Sequence, residues 1–318
     1  MMSLRAPALL ALFVGLWLLA LAPRAEANPR SLVIINGKGL PVYYNDGDTF
    51  RVLEGKLAGS PARLAGFNTL ETFGPAHQWK GWTFKELYVN SKQATLNARR
   101  GVWHCSVDPS DRDGYGRLLA VCPDLQESQI RQGLAHAMSI DGPAEPRLIR
   151  AQRDAIVNRR GMWAKGVPAQ VLTSLHSVDE RPDSKGNYNR LVSPIDGYST
   201  KWLHQDKYAE CQDVCHPTRE LPREVALRLI GELRRSEATR RAIHGVEDVY
   251  LMVLLNEYAT LGRVPQIFDA KGQRAVTAHL AAAKAAGAFN AAAEVPGACM
   301  RYVKFERRYR YKPDCLKW

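Results

Sequence analysis

The order of apolar and polar positions along the chain predicts strands first and helices later. Short β-rich runs separated by turn residues, "SLVIING", "LPVYYNDGDTFRVLEG" and "PARLAGF", predict strands from residue 31 to 67. Helical spacing follows in "TFKELYVNSKQATLNARRG", and "GVWHCSV" and "GRLLAVC" predict the two arms of a hairpin. "ESQIRQGLAHAM" and "PRLIRAQRDAIVNRRGMWAKG" predict two more helices. This is an α+β order, which a small closed barrel with helices packed on it would satisfy.

The same patterns predict how the chain divides into domains. Arg5, the apolar run "APALLALFVGLWLLALA" and the small residues of "AEA" predict a signal peptide over residues 1–27, cleaved after Ala27, with an uncleaved membrane anchor as the alternative. A first domain is expected over residues 28–167. The polar and turn-rich range 168–200 predicts a linker or long loop. Apolar residues at three and four spacing then predict a mostly helical C-terminal domain over residues 201–318.

Composition and charge narrow the class of protein. The chain has 318 residues, of which 46% are hydrophobic, so a packed core is expected rather than a disordered tail. The net charge is +12, and the signal peptide accounts for little of it, with Arg5 and Arg24 against Glu26. No segment after residue 27 is long and apolar enough to predict a membrane span. A basic exported chain is biased towards polyanions such as nucleic acid.

Six cysteines, all after the predicted signal peptide, favour disulfides over metal ligation in an oxidising compartment. Cys105 and Cys122 lie in the two arms of the predicted hairpin, where they could face each other. Cys211 and Cys215 are so close in sequence that each is expected to pair with Cys299 or Cys315 rather than with the other. A zinc site made of those last four cysteines is the alternative.

Charged residues suited to phosphate chemistry occur in the first half of the chain. Asp46 and Asp48 flank a glycine in "NDGDTF", which by itself is also a strong turn signal. Glu71 is a carboxylate able to act on water, and the forked donors of Arg63 and Arg117 match the oxygens of a phosphodiester. Fixed cations aimed at those oxygens would stabilise the charge that hydrolysis builds there. Without further context, these residues are better explained as a turn and as surface charges.

Five motifs provide that context. "YNDGDTFRV", "ARLAGFNTLET", "DRDGYGRLLAVC", "QIRQGLAHA" and "NRRGMWAKG" resemble, in order and approximate spacing, the staphylococcal nuclease (thermonuclease) family over residues 31–167. The resemblance implies an OB-type five-stranded β-barrel with three helices and a calcium-dependent phosphodiesterase that cuts DNA and RNA.

By position in those motifs, the resemblance implies a calcium site. Asp48 corresponds to a direct ligand, Asp46 to a supporting acid acting through water, and Thr69 to a ligand through its backbone carbonyl. Asn68 stands where the family usually has an aspartate. An asparagine oxygen can bind calcium, but one negative charge is lost, so we expect weak affinity, roughly 10⁻⁴ to 10⁻³ M.

The resemblance also implies the catalytic residues. Glu71 would position or activate the attacking water, Arg63 and Arg117 would hold the scissile phosphate and stabilise its transition state, and Tyr115 would contact a substrate phosphate. Where the family places nucleotide-binding tyrosines, this chain has Ser139 and Asp141, so nucleotide binding is expected to be weaker or differently shaped.

Two other features have open interpretations. His104, beside Cys105, is expected to have no chemical role, because no second metal ligand recurs at a suitable spacing nearby. The segment "RYVKFERRYRYKPDCLKW" alternates basic and aromatic residues. It suits either a strand that presents cations and rings to nucleic acid or an amphipathic segment that buries its aromatic residues. The residues concerned are Arg301, Lys304, Arg307, Arg310, Tyr302, Tyr309 and Tyr311.

The sequence thus predicts a secreted or periplasmic nuclease that acts on DNA, RNA or both, with Ca²⁺ as cofactor. The alternative is a non-catalytic module that binds nucleic acid or protein with a degenerate metal site. A third hypothesis is an envelope interaction protein whose helical half carries the function.

Overall fold

The computed structural model describes residues 31–180, 187–304 and 313–317. The predicted signal peptide lies outside these residues. The described chain is mixed α+β, with one closed barrel, three smaller sheets and seven α-helices.

Six strands close into the barrel in the spatial order β1-β2-β3-β4-β8-β7, with parallel pairing at β1–β7 and β4–β8. The strands before the first helix are β1 (Ser31–Ile35), β2 (Lys38–Tyr44), β3 (Thr49–Val52), β4 (Pro61–Leu64), β5 (Phe67–Thr69) and β6 (Ala76–Gln78). Those after it are β7 (Trp103–Arg112), β8 (Leu118–Val121), β9 (Ala135–Ala137), β10 (Val171–Ser174), β11 (Asn187–Val192), β12 (Ser199–His204), β13 (Asp213–Glu220) and β14 (Ala293–Arg301).

The barrel has six strands where the sequence analysis predicts five. The first strand region turns back on itself between β1 and β2, because Asn36 and Gly37 both have positive φ, 49° and 82°. Asn-Gly with two left-handed residues is the pairing that a tight hairpin turn prefers. The predicted β-rich segment "LPVYYNDGDTFRVLEG" contains most of β2 and all of β3, so one predicted segment contributes two barrel strands.

Three helices follow the first strands, as the sequence pattern predicts. They are α1 (Phe84–Arg100), α2 (Pro123–Arg131) and α3 (Pro146–Val157). Helix α1 begins with a capping box between Thr83 and Glu86. The predicted helix over "ESQIRQGLAHAM" is partly wrong: α2 ends at Arg131, and Ala135–Ala137 form β9, paired with β5. The glycine between them, Gly133, has a positive φ of 66° and ends the helix.

Two large apolar cores share the molecule. One fills the barrel, and helices α1 to α3 contribute to it through buried residues such as Ala98, Leu125 and Leu148. The other lies mainly in the C-terminal half but also takes in Leu70 and Trp163 from the first half. It is covered by the four remaining helices α4 (Arg223–Arg235), α5 (Glu237–Arg240), α6 (Asp248–Leu261) and α7 (Ala270–Ala285).

Residues 168–200, predicted as a linker, carry regular structure. Strands β10 and β11 form most of their sheet within this range, and Ile195 is fully buried in the second core. The C-terminal half is also less purely helical than predicted, because β13 and β14 pair with each other and with β6 from the first half. The division into separate domains stays a prediction.

All three disulfides follow the predicted pairing. Cys105 joins Cys122 across the β7–β8 hairpin, and Cys215 joins Cys299 across β13 and β14. Cys211 joins Cys315. The alternative of a zinc site made of cysteines is therefore wrong, since each of these sulfurs is in a disulfide. Among the described residues, no helix has the length and apolarity needed to cross a membrane.

Candidate functional site

The loop between β2 and β3 brings Asp46 and Asp48 to one end of the barrel. Gly47, between them, has no room for a side chain, because an added Cβ would lie 2.7 Å from both Ala94 of α1 and Thr69. Gln129 donates from Nε2 to the Gly47 carbonyl at 3.1 Å and to the Ala94 carbonyl at 2.8 Å. The loop is therefore fixed against α1 on its buried side.

Asp48 is buried and fully engaged by neighbouring donors. Its Oδ1 forms an ion pair with Nη1 of Arg63, and its Oδ2 accepts from the backbone nitrogen of Thr69 at 2.7 Å and from the Thr69 hydroxyl at 3.0 Å. Burial by itself raises the pKa of Asp48, but the Arg63 guanidinium and the hydrogen bonds outweigh it and hold the pKa below its ordinary value. Asp48 is thus a carboxylate that stays ionised.

Asn68 joins the same network with both ends of its amide. Its Oδ1 accepts from Nη2 of Arg63 at 2.5 Å, and its Nδ2 donates to the Thr69 carbonyl at 2.7 Å. In the opposite amide orientation, Nδ2 of Asn68 would face the Arg63 donor and its Oδ1 would face the Thr69 carbonyl oxygen. The two hydrogen bonds therefore fix the orientation of the Asn68 amide. An aspartate at this position could not donate to the Thr69 carbonyl.

These bonds decide whether the residues fit a calcium ion. Oxygen donors of the right type are present, but Asp48 and Asn68 both turn an oxygen to Arg63, and the Thr69 carbonyl is taken by the Asn68 amide. In the described part of the chain, no group of three or more His, Cys, Asp or Glu side chains could hold a metal. The Arg63 guanidinium is the cation that the Asp48 and Asn68 oxygens contact, and with the Thr69 carbonyl bonded to the Asn68 amide the arrangement does not fit calcium.

Glu71 is half-buried at the start of the segment that links β5 to β6. Its charge acts on both Arg63 and Asp46, raising the pKa of each. Burial and the Asp48 carboxylate raise the pKa of Asp46 further, well above its ordinary value. The structure therefore brings five predicted residues together in one group, the Arg63 cluster, and Glu71 lies within electrostatic range of Arg63 and Asp46. The five are Asp46, Asp48, Arg63, Asn68 and Thr69.

A buried histidine that the sequence analysis did not identify supports Glu71. The backbone nitrogen of Glu71 donates to Nε2 of His77 at 3.1 Å. Burial, with a smaller contribution from nearby His136, lowers the pKa of His77 to about 3, so its ring is neutral and can accept this bond. His77 lies in β6, opposite Met300 of β14. The C-terminal half thus helps to position the candidate catalytic loop.

His136 lies behind the Arg63 cluster, opposite Asn68 in the β5–β9 pair. It is fully buried, and burial lowers its pKa to about 4. His136 lies in the quoted motif "QIRQGLAHA", whereas His77 lies in a segment that the sequence analysis does not quote. His77 carries no local signal, because its partner strand lies at the far end of the chain.

Arg117 and Tyr115 lie at the turn between β7 and β8. Arg117 is bound to Asp113 through Nε and Nη2, each at 2.7 Å from Oδ2. Its guanidinium carbon is 5.4 Å from the centre of the Tyr115 ring, which is exposed. β8 lies beside β4, with Leu119 opposite Arg63, and Arg117 directly precedes β8. The structure gives Arg117 a carboxylate partner of its own rather than a contact with the Arg63 cluster.

The positions where the family places tyrosines serve another purpose here. Ser139 forms a backbone bridge with Tyr198, and its carbonyl accepts from the Ser199 nitrogen at 2.8 Å. Asp141 is exposed, as is His104 on β7. The chain after β9 is thus paired with the C-terminal half.

The basic and aromatic C-terminal segment is described only in part. Arg301 is bound to Asp213 and lies 4.2 Å from the centre of the Phe84 ring. Tyr302 is buried, and its hydroxyl donates to Glu180 at 2.7 Å. The buried Tyr302 ring is not exposed for stacking on a base, so the interpretation as a surface for nucleic acid is wrong for Tyr302, and for Arg301 it stays a prediction. Arg307, Tyr309, Arg310 and Tyr311 lie outside the described residues, and Lys304 is exposed.

The chain matches no protein-family model, and no curated protein matches it significantly in sequence. The relation to the staphylococcal nuclease family therefore rests on the motifs quoted above, and function is argued from the site itself.

Proposed function

We propose that this protein is an exported nuclease that hydrolyses phosphodiester bonds of DNA, RNA or both at the Arg63 cluster. The observation that carries the proposal is the partly buried Arg63 guanidinium, 17% exposed, held between Asp48 and Asn68 with the Glu71 carboxylate in electrostatic range. A cation and a carboxylate side by side are what attack on a phosphodiester by water requires.

In this proposal, Glu71 accepts a proton from water as the water oxygen bonds to phosphorus. Negative charge then builds on the phosphoryl oxygens, and Arg63 stabilises it. The bond from phosphorus to the sugar oxygen breaks, and that oxygen takes a proton from solvent. Both terminal nitrogens of Arg63 are engaged, so the phosphate replaces Asp48 or Asn68 as partner. Arg117, released from Asp113, contributes a second cation.

Calcium dependence, which the resemblance implies, is not part of this mechanism, because the oxygens that would bind the ion are bonded to Arg63 or to the Asn68 amide, and the incoming phosphate releases only one of them. That same observation favours a second candidate function, a non-catalytic module that binds nucleic acid through its basic surface. In that case, Asn68 and Arg63 have closed the metal site and the cluster only stabilises the barrel.

Export is also proposed rather than shown. Three disulfides favour an oxidising compartment. The secreted or periplasmic location predicted from residues 1–27 agrees with them.

One experiment separates the two functions. The mature chain, Glu71→Gln and Asn68→Asp are each incubated with plasmid DNA and with RNA, in a chelator and across a calcium titration. The proposal expects cleavage by the unmodified chain in chelator and a loss of about 10²-fold or more in Glu71→Gln. Cleavage that appears only with calcium would overturn the metal-independent mechanism.

Asn68→Asp is the informative control for the metal. It restores a carboxylate and removes the donor that occupies the Thr69 carbonyl. We expect calcium to raise the melting temperature of Asn68→Asp and to leave that of the unmodified chain unchanged. No cleavage by either chain under any condition would favour the binding module.

A further inference from the structure

A groove of about 340 Å³ lies next to the Arg63 cluster, between the end of β2, helix α1 and the segment after Glu71. Asn45, beside Asp46, lines one side of it, and Thr72, beside Glu71, lines the other. The groove therefore adjoins the two segments that carry the candidate carboxylates. None of the residues that line it was identified from the sequence as a candidate site residue.

Two cations line the groove, each placed against an aromatic ring. Nζ of Lys92 is 5.0 Å from the centres of the Phe73 and Tyr88 rings. The Arg99 guanidinium carbon is 5.3 Å from the centre of the Tyr43 ring, which is 52% exposed. Nη2 of Arg99 also donates to the Tyr44 carbonyl at 2.8 Å. The rings and this bond hold both charges in place without neutralising either of them.

Both cations belong to one face of α1. Lys92 and Arg99 are seven residues apart, two turns of helix, and lie about 10 Å apart along its axis. Among the described residues, neither forms an ion pair with an acidic side chain. Their charge is therefore available to a ligand, unlike that of Arg117 or Arg301, which is matched by an aspartate.

We propose that this groove binds the phosphates of a single-stranded nucleic acid next to the bond that is cut. Lys92 and Arg99 would each contact one phosphate, and the exposed Tyr43 ring offers a surface on which a base can stack. The inference rests on the proposed function for the identity of the ligand. It adds a second binding region, on a different element from Arg63 and Arg117, which would set the length of strand that the protein needs.

A single strand is favoured over a duplex by the side chains that the groove presents. The groove, of about 340 Å³, presents exposed Tyr43 and the two cations side by side, and a ring can stack only on bases that are not already paired and stacked in a duplex. Cations interleaved with rings are also the usual means of binding single strands without sequence preference, because every base has a face that can stack.

The test measures binding rather than cleavage. A fluorescein-labelled single-stranded oligonucleotide is titrated with the full-length mature chain carrying Glu71→Gln, and anisotropy is read at several salt concentrations. Adding Lys92→Gln and Arg99→Gln should weaken binding about tenfold. The slope of log K against log salt is negative, and its magnitude should fall by about 1.4, as expected for two lost phosphate contacts on a single strand.

The matched control removes the same two charges elsewhere. Lys271 and Arg274 are exposed on helix α7, and Lys271→Gln with Arg274→Gln changes the net charge equally. This pair should leave affinity within about twofold and the slope unchanged. Lys92→Gln alone, which leaves the Arg99 to Tyr44 bond intact, should lower the magnitude of the slope by about 0.7.

Three results would overturn the inference: no binding by the parent chain, equal weakening in the groove and control variants, or displacement by poly-glutamate as effective as by unlabelled oligonucleotide. The proposed function is tested separately by cleavage. If the groove pair and the control pair of substitutions weakened binding equally while the unmodified chain still cleaved, the groove inference would fail and the proposed function would stand.

Discussion

Two arginine clusters in this protein make similar contacts in different surroundings. Arg63 links Asp48 to Asn68, and Arg263 links Asp196 to Glu257. Their side chains are 17% and 26% exposed, and the carboxylates that they bind are almost completely buried. An arginine that bridges buried acceptors is therefore not in itself a sign of catalysis.

What differs is the surroundings of each cluster. The Ser193 hydroxyl donates to Glu257 at 2.6 Å, and Asp196 accepts from the Gln266 nitrogen at 2.9 Å. These bonds join the turn between β11 and β12 to helix α6 and the segment after it, so the Arg263 cluster holds parts of the fold together. The Arg63 cluster instead borders a half-buried carboxylate and a basic groove.

Cleavage should show the largest difference between the two clusters. Under the proposed function, Arg63→Met removes the cation that receives the transition-state charge, and cleavage should fall by about 10² to 10³-fold. Arg263→Met should leave the rate per folded molecule unchanged within about twofold. Both variants are assayed on one substrate, well below their melting temperatures. Equal losses would mean that the clusters act on activity only through folding.

Stability should show the reverse order. Arg263→Met leaves the buried Asp196 carboxylate without its cation and takes one donor from Glu257, which a pKa of about 8 keeps mostly protonated at pH 7, so we expect it to lower the free energy of unfolding by about 3–5 kcal/mol. In Arg63→Met, Asp48 keeps its hydrogen bonds from Thr49 and Thr69, so its loss should be smaller. Urea unfolding at pH 7 measures both. A larger loss in Arg63→Met would contradict this account.

The pH dependence of stability should be the smallest effect, with separate contributions from the two regions. Burial and the Asp196 carboxylate raise the pKa of Glu257 to about 8, so the folded state holds more protons between pH 4.5 and 8 and loses stability as pH rises through that window. Burial lowers the pKa of His77 to about 3 and that of His216 to about 4, so below pH 6.5 the unfolded state holds more protons at these two residues. Both therefore make the folded state less stable as pH falls below 6.5.

Stability should therefore be greatest near pH 6.5 and change by at most about 1.4 kcal/mol per pH unit for each group. The measurement is urea unfolding at pH 5, 6.5 and 8.5. Glu257→Gln should flatten the alkaline side and steepen the loss of stability below pH 6.5, whereas His77→Gln should change only the acid side, making it shallower. A profile that neither substitution changes would show that other groups control it.

Local patterns predicted much of the barrel half. The hairpin with Cys105 and Cys122 was predicted from two β-rich arms and a turn, and α1 from its spacing and end signals. Spacing predicted that Cys211 and Cys215 each pair with Cys299 or Cys315, and only the structure shows which pairs with which. In these cases, the residues that decide the structure are close together in sequence, or chain geometry leaves few choices.

What the sequence could not predict depends on distant partners. The sequence predicts a linker where β10 and β11 lie, because their sheet is recognisable only once β12 has paired with β11. The Arg263 cluster joins residues far apart in sequence, so no motif marks it. The sequence marks Asn68 as a departure from the family pattern. Its hydrogen bonds from Arg63 and to the Thr69 carbonyl, however, depend on the folded geometry.

The pairing of β6 with β14 has a consequence for how the protein matures. β6, which carries His77, is among the earlier segments to leave the ribosome, and β14 is among the last. The barrel strands are all synthesised before β14, whereas the support beneath Glu71 requires nearly the whole chain. Cys215–Cys299 then links β14 covalently to β13. The Glu71 loop is thus completed late in biosynthesis, and a chain truncated before β14 would keep the barrel residues but lack that support.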